Sequence, residues 1–434
     1  MNHTVMASEH TSAGAPACGG GRLPFLVRMA RLARPLVCER LSRLSHGGLT
    51  LIDGTHRRTF GAAGAACPLQ ATITIADPRA YLAVALAGSV GAGEAYRQGW
   101  WTADDLTTLV RLFVVNRDLL DGMEQGLARV SRPVLKMLHG LRWNTRGGSR
   151  RNISAHYDLG NEFFTLMLDD TMMYSCAFFA QPDLSLADAS RAKNDLICQK
   201  LRLSPSDHLL EIGTGWGGFA LHAASRYGCR VTTTTISRRQ HEWAVRHVAE
   251  AGLADRVTVL MTDYRDLPAL GQRFDKAVSI EMIEAIGHRQ YGEFFRVCAD
   301  LLTASGQLLV QAITIDERFY ARATRSVDFI QQFIFPGSGI PSVNALVGAS
   351  AQCSDLAVVH LDAIGAHYAP TLRAWRANLD RARPAVRALG YTEEFLRLWE
   401  FYLCYCEGGF RERAIDTVQF LFSKPGWRAS CPGG

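Results

Sequence analysis

The chain has 434 residues and a mass of 47.8 kDa, which is more than one hydrophobic core usually organises, so we expect two domains. Hydrophobic residues make up 48% and charged residues 20% of the chain, which excludes a disordered protein and a polytopic membrane protein. The net charge of +6 is too small to indicate a nucleic-acid partner. Scattered cysteines, no signal-peptide pattern and no bilayer-spanning apolar run predict a cytoplasmic protein that meets lipid only from the surface.

The N-terminal part is predicted to be a flexible tail followed by a small mixed domain. Residues 1–23 are rich in Gly, Ala and Ser, which is typical of a tail. Residues 23–44 have helical apolar spacing interrupted by arginines. This pattern fits a surface helix packed on its own domain or, less often, a helix lying on anionic headgroups. Pro35 is expected to kink or break that helix.

Short strands are predicted next, at 49–53, 56–61 and 71–76, with helices after Pro78 and up to Asn116. The stretch 140–152 is basic and Gly-rich, which is typical of an interdomain linker. We therefore expect a boundary near residue 150, with one domain over 24–150 and a second over 151–434.

Strand and helix patterns alternate regularly in the second domain. Strands are predicted at 208–212, 230–235, 257–261, 276–280 and 307–313, and helices at 217–227, 238–251 and 291–302. This alternation predicts an α/β fold in which helices cover both faces of a parallel sheet. Ligands of such sheets bind beyond the carboxyl ends of the strands.

A glycine-rich turn, EIGTGWGG (211–218), follows the first of these strands. Its glycines match G-x-G-x-x-G, a tight turn that lets a ligand approach bare backbone at a helix N-terminus. A dinucleotide site would also need an acid at the end of the second strand, but that strand ends in TTTTIS (232–237). Arg238 and Arg239 leave NADP binding open. S-adenosylmethionine needs a close glycine turn without a pyrophosphate cradle and is the favoured ligand.

Several motifs in order resemble those of the cyclopropane-fatty-acyl-phospholipid synthases, a family of S-adenosylmethionine-dependent enzymes that includes the mycolic acid cyclopropane synthases. They are HYDLGNEFF (156–164), TMMYSCAFF (171–179), EIGTGWGG (211–218), TISRRQ (235–240), SIEMIEAIGHRQY (279–291), FIFPGSGIPS (333–342), HYAPTLRAW (367–375) and FYLCYCEGGFRER (401–413). GSVGAGEAYRQGWW (88–101) also resembles the family's small accessory domain. The resemblance implies a Rossmann-like methyltransferase fold, with a lipid-facing accessory domain over 24–150 and a catalytic domain over 151–434.

The resemblance also implies a set of cofactor contacts. They are Gly213 and Gly215 at the methionine end with Tyr174 and Ser175 nearby, Thr235 and Gln240 on the ribose side, and Asp263 and Tyr264 beside the adenine.

In the family, a bound bicarbonate ion serves as the base. The matching positions here are Cys176, Glu284, Gln311, Ile313 and Tyr402. Gln311 stands where the best-known members have His, and glutamine cannot relay a proton at neutral pH. Glu281 stands where they often have Gly. If that segment is helical, Glu281 lies on the same side as Glu284, where a second carboxylate would raise its neighbour's pKa or repel an anion.

The implied chemistry is methyl transfer to an alkene, followed by loss of a proton from the new methyl group to close a cyclopropane ring. An alkene is a poor nucleophile, so the methyl donor must be held in line, and the resulting carbocation needs a dry pocket with aromatic faces. Candidate rings, most of them expected to be ordinary core, are Tyr157, Phe163, Phe164, Tyr174, Phe178, Phe179 and Tyr402. A lost or moved base would instead leave a methylene branch, which a reductase could turn into a methyl branch.

The implied substrate is an unsaturated acyl chain on a phospholipid, reached from the inner face of the membrane. The linker arginines that would bind this surface are Arg142, Arg146, Arg150 and Arg151. A homodimer is left open. The small net charge argues against a nucleic-acid partner. No metal site is expected, because the histidines are dispersed. Two other classes also stay open: an NADP-dependent oxidoreductase and a non-catalytic lipid carrier.

Overall fold

The computed structural model describes residues 22–118 and 160–428. The first stretch is built around a four-stranded sheet. Its elements are α1 (Arg22–Leu41), β1 (Gly47–Asp53), β2 (His56–Ala62), β3 (Gln70–Ile75), α2 (Arg79–Arg97), β4 (Trp101–Ala103) and α3 (Leu106–Val115). The strand order is β2-β1-β3-β4, with β1 parallel to β3. The boundary predicted near residue 150 and the linker arginines lie outside the described residues.

Helix α1 packs on its own domain, which is the first of the two interpretations of its apolar pattern. Ala33, Val37 and Leu41 are buried, whereas Leu32 and Leu36 face solvent. The helix does not end at Pro35. Packing of the buried residues on both sides of the proline offsets the backbone hydrogen bond that proline cannot make.

The second stretch carries a seven-stranded sheet with helices on both faces. Its elements are α4 (Asn161–Met167), α5 (Leu186–Leu201), β5 (His208–Ile212), α6 (Gly218–Tyr227), β6 (Arg230–Thr234), α7 (Arg238–Glu250), β7 (Val257–Leu260), β8 (Phe274–Ile280), α8 (Ile283–Ile286), α9 (Tyr291–Leu301), β9 (Leu302–Ile315), α10 (Glu317–Ala323), α11 (Phe329–Phe333), α12 (Val343–Cys353), β10 (Ala357–Ala363), α13 (Tyr368–Ala388), α14 (Glu393–Arg411) and β11 (Ile415–Ser423).

The strand order is β10-β11-β9-β8-β5-β6-β7. Strands β5 to β9 are parallel, as the alternation predicts. The sheet as a whole is mixed, which corrects the expectation of a purely parallel sheet, because β11 pairs antiparallel with both β9 and β10. The carboxyl ends of β5, β6 and β8 lie side by side and form the edge where a ligand is expected.

The two stretches pack tightly against each other through α14. A Cβ atom on Gly408 of α14 would come within 2.5 Å of the Val110 side chain on α3. The hydroxyl of Thr107 donates to the buried carboxylate of Glu407 (3.2 Å), and Arg111 donates to Glu412 (2.6 Å). The N-terminal sheet and its helices are therefore held directly against the larger sheet.

Candidate active site

A single cavity of about 1100 Å³ lies at the carboxyl ends of β5 to β8 and extends into the N-terminal stretch. All the predicted cofactor residues line it: Tyr174, Ser175, Gly213, Gly215, Thr235, Gln240, Asp263 and Tyr264. Of the predicted catalytic residues, Glu284, Ile313 and Tyr402 line the cavity. Cys176 and Gln311 lie behind its wall, and both are fully buried.

The glycine turn after β5 presents bare backbone to the cavity. Gly213, Gly215 and Gly217 have φ angles of +104°, +52° and +92°, a region that side chains rarely adopt. The N–H groups of Gly213 and Thr214 both donate to the carbonyl of Thr234 at the end of β6. The turn is thereby fixed to the neighbouring strand, and α6 begins directly after it.

The cavity wall fits S-adenosylmethionine. The hydroxyls of Ser175 and Tyr264 are buried there, and neither has a hydrogen-bond partner among the residues that the structure describes. Such atoms are rare unless a ligand or water satisfies them. The hydroxyl of Thr235 donates to Oε1 of Gln240 (3.0 Å), so the amide nitrogen of Gln240 can donate to a ribose hydroxyl.

An ion pair holds Asp263, one of the two residues predicted to lie beside the adenine. Nε of Arg265 donates to Oδ1 of Asp263 (2.8 Å) and its Nη2 donates to Oδ2 (2.6 Å), and both residues line the cavity. Asp263 is nearly fully buried, so this bidentate pair orients its carboxylate. If Asp263 contacts the adenine base, it must do so with carboxylate oxygens that also accept hydrogen bonds from Arg265.

Glu281 is the centre of the predicted base site. The backbone N–H of Cys176 (3.0 Å) and Nε2 of Gln311 (2.8 Å) both donate to its Oε1. The hydroxyl of Tyr368 donates to its Oε2 (2.6 Å). Glu281 lies before the helix and is not helical, so the condition for placing it on one helical face with Glu284 is not met. Its φ of +50° is the left-handed conformation in which glycine is favoured, so its three hydrogen bonds must offset about 1–2 kcal/mol of strain.

The amide of Gln311 is fixed as a donor toward Glu281. Lys200 donates to Oε1 of Gln419 (2.7 Å), and Nε2 of Gln419 donates to Oε1 of Gln311 (2.9 Å). This chain of hydrogen bonds points the nitrogen of Gln311 at the carboxylate. Gln311 therefore binds an anion without moving a proton.

These residues do not fit a bicarbonate ion. The N–H of Cys176 and the amide of Gln311 are bound to Glu281, and the N–H of Ile313 donates to Oε1 of Glu284 (2.5 Å). An added anion would also meet the buried carboxyl group of Glu281, which the predicted site does not contain. In this chain the Glu281 carboxylate takes the hydrogen bonds that the resemblance assigns to bicarbonate, which corrects that expectation.

Lys193 on α5 is a buried cation close to this site. Its ammonium has no hydrogen-bond partner among residues 22–118 and 160–428. Burial lowers the pKa of Lys193 to about 8, although nearby acids, Glu281 most strongly, favour its charged form. Burial raises the pKa of the Cys176 thiol well above its usual value, so Cys176 contributes its backbone N–H rather than a nucleophile.

Two of the predicted aromatic residues face the cavity. The hydroxyls of Tyr174 and Tyr402 are 2.9 Å apart, and both rings line the cavity. Phe163 and Phe164 are fully buried core residues, as expected for most of this set, and Tyr157 lies outside the described residues. Tyr368 and Lys193 also belong to this cluster, and neither is among the residues predicted from the sequence. The motif HYAPTLRAW contains Tyr368 and was the available signal.

The raised pKa of Glu284 predicts that this residue makes a pH-dependent contribution to the free energy of unfolding. Burial and then the charge of Glu281 raise its pKa from 4.5 to about 8. Between these values the folded protein binds a proton that the unfolded chain has lost, so stability falls as the pH rises through this window. We expect Glu284→Gln, which keeps an acceptor for Ile313, to raise Tm relative to the parent protein by more at the top of the window than at the bottom.

The matched control for this test is Glu242→Gln on an exposed position of α7. It removes one carboxylate charge without changing the cavity. Melting curves of both variants across the window check the prediction. An equal Tm difference for Glu284→Gln at both ends would contradict it.

Comparison with known proteins identifies the family. A sequence profile described as "Mycolic acid cyclopropane synthetase" matches residues 145–420. The tuberculostearic acid methyltransferase UfaA1 of Mycobacterium tuberculosis is 34% identical over 441 residues, covering 98% of this chain and 99% of UfaA1. The chain belongs to the mycolic acid cyclopropane synthetase family. This chain is also similar to the cyclopropane-fatty-acyl-phospholipid synthase of Escherichia coli. The two are 36% identical over 359 residues, which covers 82% of this chain and 88% of the relative.

A solved structure agrees with this membership. The mycolic acid cyclopropane synthase CmaA1, complexed with SAH and CTAB, matches with a TM-score of 0.59 and 33% identity, covering 63% of this chain and 98% of that chain. This member of the mycolic acid cyclopropane synthetase family is therefore an S-adenosylmethionine-dependent C-methyltransferase of lipid acyl chains with a Rossmann-like fold. Family membership sets aside the oxidoreductase and carrier alternatives. No helix in the described part of the chain is long and apolar enough to cross a membrane.

Proposed function

We propose that the enzyme transfers the methyl group of S-adenosylmethionine to the double bond of an unsaturated acyl chain on a phospholipid and then removes a proton to close a cyclopropane ring. One observation carries this proposal. The same cavity joins the glycine turn, the Glu281 and Glu284 carboxylates and a long apolar extension. The name of the Escherichia coli relative supports a phospholipid as the carrier of the chain.

The residues around the reacting carbons provide a dry site with a base. S-adenosylmethionine supplies the electrophilic methyl group. The rings of Tyr174, Tyr402 and Phe335 line the cavity and can stabilise a carbocation on the acyl chain without attacking it. The largely apolar wall, once covered by the acyl chain, limits the water that would trap this cation.

Glu281 is the proposed proton acceptor. When a C–H bond of the cation breaks, its electron pair closes the ring and the proton passes to the Glu281 carboxylate. Burial raises the pKa of Glu281, which suits a proton acceptor, whereas its hydrogen bonds and the charge of Lys193 favour the charged form that this step requires. Tyr368 and Gln311 hold the carboxylate in place through hydrogen bonds.

A methylene-branched product is the second candidate, and the position of Glu281 favours it. A protein carboxylate bound in place of bicarbonate need not take the proton before the cation rearranges. If a hydride first shifts from the methylated carbon to the neighbouring cationic carbon, the methyl group then loses a proton to Glu281, and the electron pair of that C–H bond forms the C=CH2 alkene of a methylene branch. The relative UfaA1, which aligns over 98% of this chain, is named as a tuberculostearic acid methyltransferase. Converting the methylene to a methyl branch would require a separate reductant.

Attachment to the membrane surface is part of the proposal. Met29, Leu32 and Leu36 form an exposed apolar stripe at helical spacing on α1, and Leu32 is 62% exposed. Arg40 and Arg43 follow on the same helix or directly after it. An exposed apolar stripe next to basic residues supports binding to anionic headgroups.

The product assay is the direct test of the proposed function. Purified enzyme is incubated with S-adenosylmethionine labelled in its methyl group and vesicles of unsaturated phosphatidylglycerol, and the released fatty acids are analysed by mass spectrometry and NMR. We expect label in the acyl chain and either ring protons without an alkene or the vinyl protons of a methylene branch. Label confined to the headgroup, or no label, would contradict the proposal.

The same assay separates surface attachment from chemistry. We expect a higher rate on anionic than on neutral vesicles at low salt and a smaller difference at high salt, because salt screens attraction to the surface. Leu32→Ser with Leu36→Ser should weaken vesicle binding while leaving the affinity for S-adenosylmethionine unchanged. Equal rates on both kinds of vesicle would argue against this attachment.

A further inference from the structure

The cavity continues from the glycine turn into the interior of the N-terminal stretch. One wall is a line of small residues on α2, each four positions from the next: Ala80, Val84, Gly88 and Ala92. Gly88 separates two helical segments at a kink, and all four residues line the cavity.

The other walls of this extension are also apolar. Leu106, Leu109, Val110 and Phe113 line it from one face of α3. Leu51 on β1 with Ile73 and Ile75 on β3 close it on the sheet side. We call this part of the cavity, lined by α2, α3 and the sheet, the N-terminal channel.

The N-terminal channel occupies the place of a close-packed core. Leu51, Ala80 and Leu109 are no more than 5% exposed, yet all three line the channel. Protein interiors are normally packed to the density of organic crystals, and an apolar void removes contacts from every residue around it. A small domain that keeps such a void is expected to fill it with an apolar ligand.

Helix α2 is also interrupted where it borders the channel. Gly88 has φ +55° and ψ −128°, which is not helical and which other residues adopt only with strain. The kink lies in the middle of the line of small residues. Gly88 therefore joins the two helical segments of α2 at the channel wall.

We infer that the N-terminal channel holds the hydrocarbon segment of the substrate acyl chain beyond the reacting carbons, and that the small residues on α2 determine how long this segment can be. This inference rests on the proposed function. The occupant must be continuous with the methyl-transfer site and apolar along its length.

The test varies the acyl tail and the channel together. Substrates share one headgroup and one distance from carboxyl to double bond, and their tails beyond the double bond lengthen by two carbons at a time. We expect Val84→Phe to lower kcat/KM for the longest tails about tenfold or more, while the shortest tails react at the parent rate. Val84→Ala should instead raise the rate on the longest tails relative to the parent.

The matched control is Leu86→Phe on the exposed side of the same helix. It adds an aromatic ring to α2 without entering the channel and should leave the tail-length profile unchanged. Equal losses for all tails in Val84→Phe, together with an unchanged profile in Val84→Ala, would overturn the inference. If the proposed function itself is wrong, the outcome is different: the parent enzyme then methylates none of the substrates, whatever their tail length.

Discussion

Replacing Glu281 by glutamine is expected to lower kcat by about 10²–10⁴ and to leave the affinity for S-adenosylmethionine unchanged. Glutamine retains an oxygen for the donors Cys176 and Gln311, so the local fold is kept. The amide cannot accept a proton, however, and the last step of the proposed reaction loses its base. Rates with labelled donor and unsaturated phospholipid, measured beside calorimetric affinities for the cofactor, check this expectation.

A second variant distinguishes a base from a structural support. Glu281→Gly removes the carboxylate and suits the backbone φ of +50°, so it should fold at least as well as the parent. It also frees the donors for an external anion. We expect added bicarbonate to restore part of its activity and to have no effect on the parent enzyme. Full activity of Glu281→Gln without bicarbonate would show that Glu281 is not the base.

Adding a methyl group at Gly215 is expected to weaken S-adenosylmethionine binding about 100-fold, or about 2.7 kcal/mol. Gly215 has φ +52°, and apart from its chain neighbours no atom of residues 22–118 and 160–428 lies within 4 Å of the position its Cβ would take. The Cβ of Gly215→Ala therefore enters the open space where the ligand must approach the backbone. Calorimetric titration with S-adenosylmethionine measures the loss.

Gly252→Ala is the matched control for this variant. Gly252 has φ +67°, its Cβ position is equally open, and it lies on an exposed turn after α7. Both variants carry the same kind of backbone strain, about 1–2 kcal/mol. Only Gly215→Ala should change cofactor affinity. If both variants bind S-adenosylmethionine equally well, the glycine turn does not contact the donor.

The parallel part of the fold was predictable because its signals are local. Strands β5 to β8 are short runs rich in apolar and β-branched residues, and the helices between them have regular spacing. The antiparallel edge was not predicted. All but one of the residues of β10 are exposed, so it has no alternating pattern, and β11 is defined by pairing with β9. Long-range pairing of this kind leaves little trace in a single sequence.

The candidate site divides in the same way. The glycine turn is a local motif, and the structure places it on the cavity wall. The role of Glu281 depends on Tyr368, which lies 87 residues further along the chain, and on Cys176, which precedes it by 105. Lys193 has no motif at all and reaches the site only because α5 packs behind it. Spacing along the chain could not reveal a cluster assembled from such distant elements.

A crystal structure with S-adenosylhomocysteine and an unsaturated phospholipid analogue would test the central claim most directly. We expect the sulfur at the glycine turn, the double bond between it and the Glu281 carboxylate, and the tail beyond the double bond between α2 and α3. An acyl chain bound outside the cavity, or a carboxylate of Glu281 turned away from the double bond, would contradict the account.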